Sequence, residues 1–254
     1  MGNRRENRKM KILAFTDNGL KYDHNEDCYS LNGVCRYGEK LCGDKEIYSA
    51  AVFDGVGGAN AGEVASKLAC ETAAMRITPQ FTAQDLKFAF AKVNSAVVNA
   101  SRSKADYGGM ACTVAGVLFR EDETIVYNVG DSKVFKIKNG LMMQLSSDDT
   151  YSASLARAYG EKCAEIENDH TITAYLGNPH YNAEQLHLSA VSPFCKGETY
   201  FICTDGVTDY IDYNYLESIL TDSEISIEEK SKKISRAVFS NGAKDNLTYI
   251  ILTR

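Results

Sequence analysis

The sequence of 254 residues predicts an α+β fold, in which helices cover the outer faces of mostly antiparallel sheets. Two observations support this prediction. Apolar runs of β type outnumber helical stretches, and the helical stretches form one pair early and one pair late in the chain. A doubly wound parallel sheet would instead require strands and helices to alternate. Because β-rich folds of ~200–250 residues are commonly one domain, a single domain is expected.

Eight short apolar runs, rich in Val, Ile, Tyr and Phe and bounded by Gly, Asp or Asn, are typical of strands. In chain order they are Ile12–Phe15, Tyr48–Phe53, Thr113–Phe119, Thr124–Val129, Val134–Ile137, Leu186–Leu188, Tyr200–Cys203 and Leu247–Leu252. His187 alternates with two leucines, so its side chain is expected to point out of its strand.

Four stretches carry apolar residues at helical spacing, and they are Ala61–Met75, Ala83–Ala100, Tyr213–Leu220 and Ile227–Phe239. Thr82 and Asp85 resemble a capping box at the start of the second stretch. Asn241-Gly242 is a suitable end for the fourth. Local chemistry therefore defines one end of each of two predicted helices, the start of the second and the end of the fourth.

Residues 1–10 are expected to form a mobile N-terminal arm, and residues 11–254 the single domain. The stretch 146–184 is polar and weakly periodic. Segments of this length without clear elements are usually functional or mobile. We therefore predict a flap at about 146–184, within a domain that is expected to be monomeric.

The charge balance argues against nucleic-acid binding. The chain has 28 Lys and Arg against 34 Asp and Glu, which gives a net charge of −6 and a pI near 5.3. Such an acidic chain does not attract phosphate backbones by bulk charge. Its hydrophobic fraction of 44% and charged fraction of 24% are those of a globular protein.

The sequence indicates a cytoplasmic protein that is not bound to a membrane. No window approaches the ~18 consecutive apolar residues of a membrane helix, and the N-terminus lacks the apolar core of a signal peptide. The eight cysteines contain no C-x-x-C pair, which a zinc site normally shows. Reduced and mostly buried thiols are expected.

Carboxylates at the ends of predicted strands are the most informative feature. Three apolar runs end in aspartate, one begins after an aspartate, and an acidic pair follows the first run. These residues are Asp54, Asp131, Asp205, Asp245 and the pair Glu26-Asp27. Each Asp-Gly could be an ordinary turn. The repetition of the pattern favours a shared site at one rim of the packed strands.

Clustered carboxylates repel one another unless a cation neutralises them. Oxygen ligands without His or Cys favour Mg²⁺ or Mn²⁺ over Zn²⁺. Two such ions ~3.5–4 Å apart can generate a hydroxide at neutral pH and bind a phosphoryl group. A phosphate-binding loop after Gly57 is excluded, because Glu63 and Val64 occupy the positions where that motif has Lys and Ser or Thr.

Seven motifs in register resemble the metal-dependent Ser/Thr protein phosphatases, the type-2C family, and cover about residues 12–252. They are Asp17-Asn-Gly19 with Asn25-Glu26-Asp27, Val52-Phe-Asp54-Gly55-Val-Gly57-Gly58, Gly109-Met-Ala-Cys-Thr113, Asn128-Val-Gly130-Asp131-Ser132, Asp169-His170 with Ala174-Tyr-Leu176-Gly177, Thr204-Asp205-Gly206-Val-Thr-Asp209, and Asp245-Asn246-Leu-Thr248. The resemblance is to the compact bacterial members.

The resemblance implies a four-layer αββα sandwich of two antiparallel sheets flanked by helix pairs, with two metal ions at one end. It implies that Asp54 binds both ions, the Gly55 carbonyl one of them, and Asp205 and Asp245 the other. Glu26 and Asp27 would orient metal-bound waters. A third, weaker site would use Asp131 with Asp205 or Asp209. Metal-bound hydroxide would attack phosphoserine or phosphothreonine directly, in phosphoproteins made by a Ser/Thr kinase.

Two positions depart from the family. The Arg that usually binds phosphate is replaced by Tyr22, with Lys21 beside it, and the His that follows Asp-Gly in larger relatives is Val56. If the segment were extended, Lys21 would point away from Tyr22. The departures leave two alternatives open: a scaffold protein with this fold and weak activity, and a hydrolase of small phosphoesters.

Overall fold

The computed structural model describes residues 9–38, 40–56, 61–160, 162 and 171–254. The strands in these ranges are β1 (Lys9–Asp17), β2 (Cys28–Leu31), β3 (Val34–Arg36), β4 (Leu41–Glu46), β5 (Ser49–Phe53), β6 (Gly55–Val56), β7 (Ala111–Cys112), β8 (Val114–Phe119), β9 (Thr124–Val129), β10 (Lys133–Lys138), β11 (Leu141–Gln144), β12 (His187–Val191), β13 (Thr199–Cys203) and β14 (Leu247–Thr253). The α-helices are α1 (Gly62–Ala74), α2 (Ala83–Ser101), α3 (Tyr151–Tyr159), α4 (Asp205–Thr208), α5 (Tyr213–Thr221) and α6 (Ile227–Ser240).

Two six-stranded sheets form the centre of the molecule. The first has the order β11-β10-β13-β14-β1-β4, and the second has the order β12-β9-β8-β5-β2-β3. The strand pairs within both sheets are antiparallel. In the first sheet the last strand, β14, inserts between β13 and β1, so the two ends of the domain meet in its interior.

Three apolar layers hold the sheets and helices together. One lies between the sheets and includes Ile12, Val52 and Ile202. A second packs α1 and α2 on the second sheet, with Phe90 at its centre. A third packs α5 and α6 on the first sheet around Leu216. The predicted four-layer αββα sandwich is confirmed.

Burial on both faces explains why the strands read as continuous apolar runs. In β14, Ile250 and Leu252 face the layer between the sheets, while Tyr249 and Ile251 face α5 and α6. A sheet with one wet face would alternate apolar and polar residues. The apolar runs of the sequence therefore mark strands that are covered on both sides.

The predicted helix ends are confirmed. The Thr82 side chain accepts from the backbone of Asp85, whose carboxylate accepts from the backbone of Thr82, which is a capping box. Helix α6 ends at Ser240 with Asn241 as its C-cap, and the following Gly242 has φ +105°, a value that favours glycine. Local chemistry thus sets these boundaries.

Several elements are absent from the sequence prediction. The hairpins β2–β3 and β10–β11 turn at Asn32-Gly33 and Asn139-Gly140, where all four residues have positive φ. Asn-Gly is the usual sequence signal for such turns. Strand β1 begins at Lys9, so residues 9 and 10 of the expected arm belong to the sheet, and residues 1–8 lie outside the described residues.

Candidate active site

The predicted carboxylates gather at one end of the sandwich. Asp54 follows β5 of the second sheet, whereas Asp205 follows β13 of the first. Each of the two carboxyl groups influences the pKa of the other, so they lie close together. Asp131 after β9 is close enough to influence Asp54, and Asp245 before β14 influences Asp205. Strand ends from both sheets therefore build one acidic centre.

Burial and mutual repulsion make these carboxyl groups reluctant to ionise. Removal from water, followed by the charges of neighbouring aspartates, raises the pKa of Asp54 well above its ordinary value. Burial raises the pKa of Asp27 and of Asp131 to about 7. It raises the pKa of Asp205 to about 6, and it also raises that of Asp245. The centre binds protons where no other cation is present.

Two of the buried carboxylates have an oxygen with no hydrogen-bond partner. Asp27 is 3% exposed; its Oδ2 accepts from the Thr204 hydroxyl at 2.9 Å, and its Oδ1 has no partner. Asp131 is 5% exposed, and its Oδ1 also lacks a partner. Buried oxygens are normally satisfied, so these two indicate a missing cation or ordered water.

Glycines bring backbone close to Glu26. A Cβ at Gly62, the first residue of α1, would meet the carboxylate of Glu26 and, at 2.8 Å, the carbonyl oxygen of Gly55. The Gly55 amide donates to the Glu26 carbonyl at 3.1 Å. Only a residue without a side chain allows this approach. The Gly55 carbonyl and the Glu26 carboxylate therefore lie side by side at the rim.

The Asn246 side chain connects the two ends of the chain at the site. Its Oδ1 accepts from the Glu26 amide at 2.7 Å, and its Nδ2 donates to the carbonyls of Asn18 and His24 at 2.9 and 3.1 Å. Asn246 is buried. These three bonds fix the backbone of the loop that carries Glu26 and Asp27. Sequence reasoning placed Asn246 in a motif but gave it no role.

Lys133 is the buried cation beside Asp131. Its ammonium donates to the Asp131 carbonyl at 2.9 Å and pairs with Asp148 at 2.9 Å. Burial lowers the pKa of Lys133, but the neighbouring negative charges and the hydrogen bond to Asp148 together outweigh this effect, and the pKa is raised overall. Because Asp148 already takes this charge, Lys133 only partly offsets the acidic centre.

A cleft of about 840 Å³ extends from the acidic centre towards α3. It is lined by Asp131, Asp205 and the exposed Asp209 on one side and by Arg157 on the other. The predicted third-site residues Asp131, Asp205 and Asp209 thus share this cleft. Its other wall belongs to the predicted flap.

The predicted flap contains a helix that sequence periodicity did not reveal. Helix α3 has only nine residues, none of them buried, and Leu155 is its only large aliphatic residue. The segment is anchored at Asp149, whose carboxylate accepts from the Gly130 amide at 3.0 Å and bonds His187 at 2.7 Å. His187 therefore contacts Asp149 instead of pointing freely out of its strand. Asp169-His170 lie outside the described residues.

Lys21 and Tyr22 lie on the same side of their loop, contrary to the expectation of alternation. The Lys21 ammonium donates to the Tyr22 hydroxyl at 2.8 Å, and its charge also acts on Asp245. The expectation was wrong because this segment is a turn and not a strand. Both side chains are exposed beside the acidic centre.

One set of three potential ligands among the described residues has its donor atoms within 4.8 Å of one another, namely His24, Glu26 and Glu63. The aspartates of the acidic centre are spaced more widely. Such spacing suits ligands shared between two ions, each of which keeps several waters. Sequence reasoning did not identify His24 and Glu63 as neighbours, because they are 39 positions apart and their spacing along the chain does not show that they meet.

The donor set therefore fits hard divalent cations. It consists of oxygen atoms, two of them buried and unpartnered, and the cation Lys133 beside it is already paired. Carboxylate and carbonyl ligands are those that Mg²⁺ and Mn²⁺ prefer.

Solved structures define the class of protein. Stp1 from Staphylococcus aureus superposes with a TM-score of 0.81 at 23% identity, covering 96% of this chain and 95% of that one. The catalytic domain of PstP in complex with two manganese ions superposes with a TM-score of 0.78 at 24% identity, covering 96% and 98%. The fold is that of the PPM-type phosphatases.

Sequence comparison gives the family. Residues 39–247 match protein phosphatase 2C. The chain is 30% identical over 247 residues to the serine/threonine phosphatase stp of Listeria innocua, with 94% of each protein covered. It is 24% identical over 245 residues to PstP of Mycobacterium tuberculosis, covering 95% of this chain and 44% of that protein. The chain belongs to the protein phosphatase 2C family and is a protein serine/threonine phosphatase.

Within the described ranges, no helix combines the length and the apolar character that crossing a bilayer requires.

Proposed function

We propose that this chain hydrolyses phosphoserine and phosphothreonine in proteins at a centre of two Mn²⁺ or Mg²⁺ ions. The observation that carries the proposal is the acidic centre, in which Asp54 and Asp205 come together from different sheets and two buried carboxylate oxygens lack partners. The relative PstP has been solved with two manganese ions, which supports a two-ion centre.

The residues have distinct roles in this proposal. Asp54 would hold both ions, the Gly55 carbonyl would support one, and Asp205 and Asp245 would hold the other. When bound, the ions would lower the pKa of water to supply a nucleophile and would neutralise phosphoryl oxygens. Asp131 with Asp205 or Asp209 would hold a weaker third ion in the adjoining cleft.

Glu26 and Asp27 position water in this proposal. The Asp27 carboxylate is oriented by the Thr204 hydroxyl, which itself accepts from the Thr248 amide at 3.0 Å. The loop of Glu26 is fixed by Asn246. Both acceptors are therefore held before substrate arrives, which is the preorganisation that catalysis requires.

The substrates we propose are phosphoproteins made by a Ser/Thr kinase, and the site of action is the cytoplasm. The described cysteines are free thiols, which suits a reducing compartment. The chain would act as a monomer. The cleft between the acidic centre and α3 would accept the peptide that flanks the phosphorylated residue.

Chelation followed by metal add-back tests the proposal. Exhaustive chelation should abolish hydrolysis of both an aryl phosphate and a phosphopeptide, and Mn²⁺ or Mg²⁺ should restore both. Full activity after chelation would contradict the two-ion centre. Activity on the aryl phosphate alone would support a small-phosphoester hydrolase, and no activity on either would support a scaffold protein.

A further inference from the structure

Three thiols lie together where α1 packs against β2 and β3. Cys35 is on the edge strand β3, Cys70 is on α1, and Cys28 begins β2. Cys28 and Cys70 are buried, whereas Cys35 is partly accessible. The Cys70 thiol donates to the Cys35 sulfur at 2.8 Å. We propose that Cys35 and Cys70 form a reversible disulfide when the protein meets a hydroperoxide.

The two sulfur atoms are already close to bonding distance. A disulfide bond is about 2.05 Å long, so the sulfurs must approach by less than about 1 Å. Tyr37, which follows β3, connects this strand to the helix next to the pair. The Tyr37 hydroxyl donates to Glu71 at 3.1 Å, and the Lys67 ammonium lies 5.1 Å from the centre of the Tyr37 ring. Bond formation therefore requires little movement of the backbone.

The environments of the two thiols give them different roles. The hydrogen bond from Cys70 lowers the pKa of Cys35, which favours its thiolate. Burial, followed by the neighbouring thiols Cys28 and Cys35, raises the pKa of Cys70 well above its ordinary value. The accessible thiol is thus the better nucleophile, and the buried thiol is placed to react second.

The reaction balances with hydrogen peroxide as the oxidant. The Cys35 sulfur attacks one peroxide oxygen, the O–O bond breaks, and water leaves, which gives a sulfenic acid. The Cys70 sulfur then attacks the Cys35 sulfur, and the S–O bond breaks with loss of a second water. Two thiols are oxidised and one peroxide is reduced. A thiol reductant reverses the reaction.

Peptide mapping of the full-length chain tests the proposal. The reduced protein, kept in Mg²⁺, is treated with hydrogen peroxide, its remaining thiols are alkylated, and it is digested without reduction. A Cys35–Cys70 cross-linked peptide that disappears after dithiothreitol is expected. The proposal is overturned if Cys70 pairs with Cys28, or if the exposed Cys42 and Cys195 oxidise while Cys35 and Cys70 stay reduced.

Two variants locate the first oxidation. Cys70→Ala should accumulate sulfenic acid at Cys35, detected by dimedone labelling, because the second thiol is missing. Cys42→Ala removes an exposed, isolated thiol and should form the disulfide as the unsubstituted chain does. Labelling of Cys35 that is no greater in Cys70→Ala than in the unsubstituted chain would overturn the proposed order. The mapping uses the unsubstituted chain, so it is decisive even if Cys70→Ala fails to fold.

Discussion

At the scale of single residues, Asp54 carries the conflict between folding and function. Its carboxyl group is removed from water and faces Asp27, Asp205 and Asp131, which all disfavour its charge. The metal-free fold therefore tolerates Asp54 at a cost in free energy. Asp54 does not stabilise the metal-free chain. Its presence at this position is explained by the cations that it is proposed to hold.

Replacing Asp54 by Asn should separate these two effects. We expect kcat to fall by roughly 1,000-fold or more, equivalent to about 4 kcal/mol of barrier, because both ions lose a ligand. The metal-free variant should melt at a higher temperature than the metal-free unsubstituted chain, since one repelling charge is gone. Thermal melting with and without Mn²⁺ checks this prediction. A less stable metal-free variant would contradict it.

A substitution at Tyr22 should strengthen the binding of substrate. The single hydroxyl of Tyr22 already accepts from Lys21, whereas an arginine would offer two parallel donors to a phosphate. A hydrogen bond to a charged group contributes roughly 1.5–3 kcal/mol, so Tyr22→Arg should lower KM about 10–150-fold with little change in kcat. Steady-state kinetics on one phosphopeptide measures this, with Tyr22→Phe as the control. An unchanged KM would show that another group binds the phosphate.

At the scale of elements, the helices and strands that were predicted correctly are those whose buried faces are made of apolar residues. Strands covered on both faces read as apolar runs, and the four long helices read as stripes. Strand β4 is largely exposed, and α3 is short with no buried residue, so neither carries the run of large apolar residues that marked the other elements. The two hairpins missing from the prediction turn at Asn32-Gly33 and Asn139-Gly140, and the Asn-Gly dipeptide is a sequence signal for such turns.

The site was predicted less completely than the fold. Aspartates at strand ends could be found because continuous apolar runs mark the buried strands and therefore also their ends. The contacts of Asn246 with Asn18, His24 and Glu26 depend on how remote loops meet, which spacing along the chain does not show. The roles assigned to individual ligands remain predictions.

Helix α3 should be the part of the described flap that opens most readily. It has no buried side chain, whereas Asp149 ties the base of the flap to Gly130, His187 and Thr173. We therefore expect amides of α3 to exchange with solvent faster than those of β9 and β10. Hydrogen exchange followed by mass spectrometry measures this. Equal protection would contradict a mobile flap.

Glu198 links β13 to β10 through a buried ion cluster. Its carboxylate is 3.0 Å from the Lys136 ammonium and 2.9 Å from that of Lys138, and the side chains of Glu198 and Lys136 are 2% and 4% exposed. Glu198→Ala leaves Lys136 buried without its partner, which costs roughly 3–5 kcal/mol. Urea unfolding should show this loss.

Glu184→Ala is the matched control. It removes the partner of Lys87 in a pair 2.6 Å apart, but Glu184 is 81% exposed. Surface pairs contribute only about 0–1 kcal/mol. Equal losses of stability in the two variants would show that burial of the Glu198 cluster has no special effect.

At the scale of the whole molecule, the acidic centre should make stability depend on pH and metal together. The pKa values of Asp27 and Asp131 are about 7 and that of Asp205 is about 6 in the folded chain, against about 3.9 when unfolded. Between these values the folded state binds more protons than the unfolded state. Without metal, these groups therefore stabilise the fold at low pH, and this contribution is lost as pH rises towards 7.

Divalent ions should stabilise the chain more at about pH 7.5 than at about pH 5.5, because at the lower pH they must displace bound protons. The increase in melting temperature on adding Mn²⁺ at each pH measures the effect. Asp54→Asn serves as the control and should show a small increase at both. An equal increase at both pH values in the unsubstituted chain would contradict the prediction.

The position of β14 has a consequence for how the enzyme is made. This strand lies between β13 and β1, and the bond from Glu26 to Asn246 joins residues 220 positions apart. A chain emerging from the ribosome thus exposes Asp54 and Asp131 long before the strand that completes the sheet is available. Closing so long a loop is slow. The growing chain therefore remains inactive until β14 is free to insert, so phosphate removal begins only after nearly the whole domain has been synthesised.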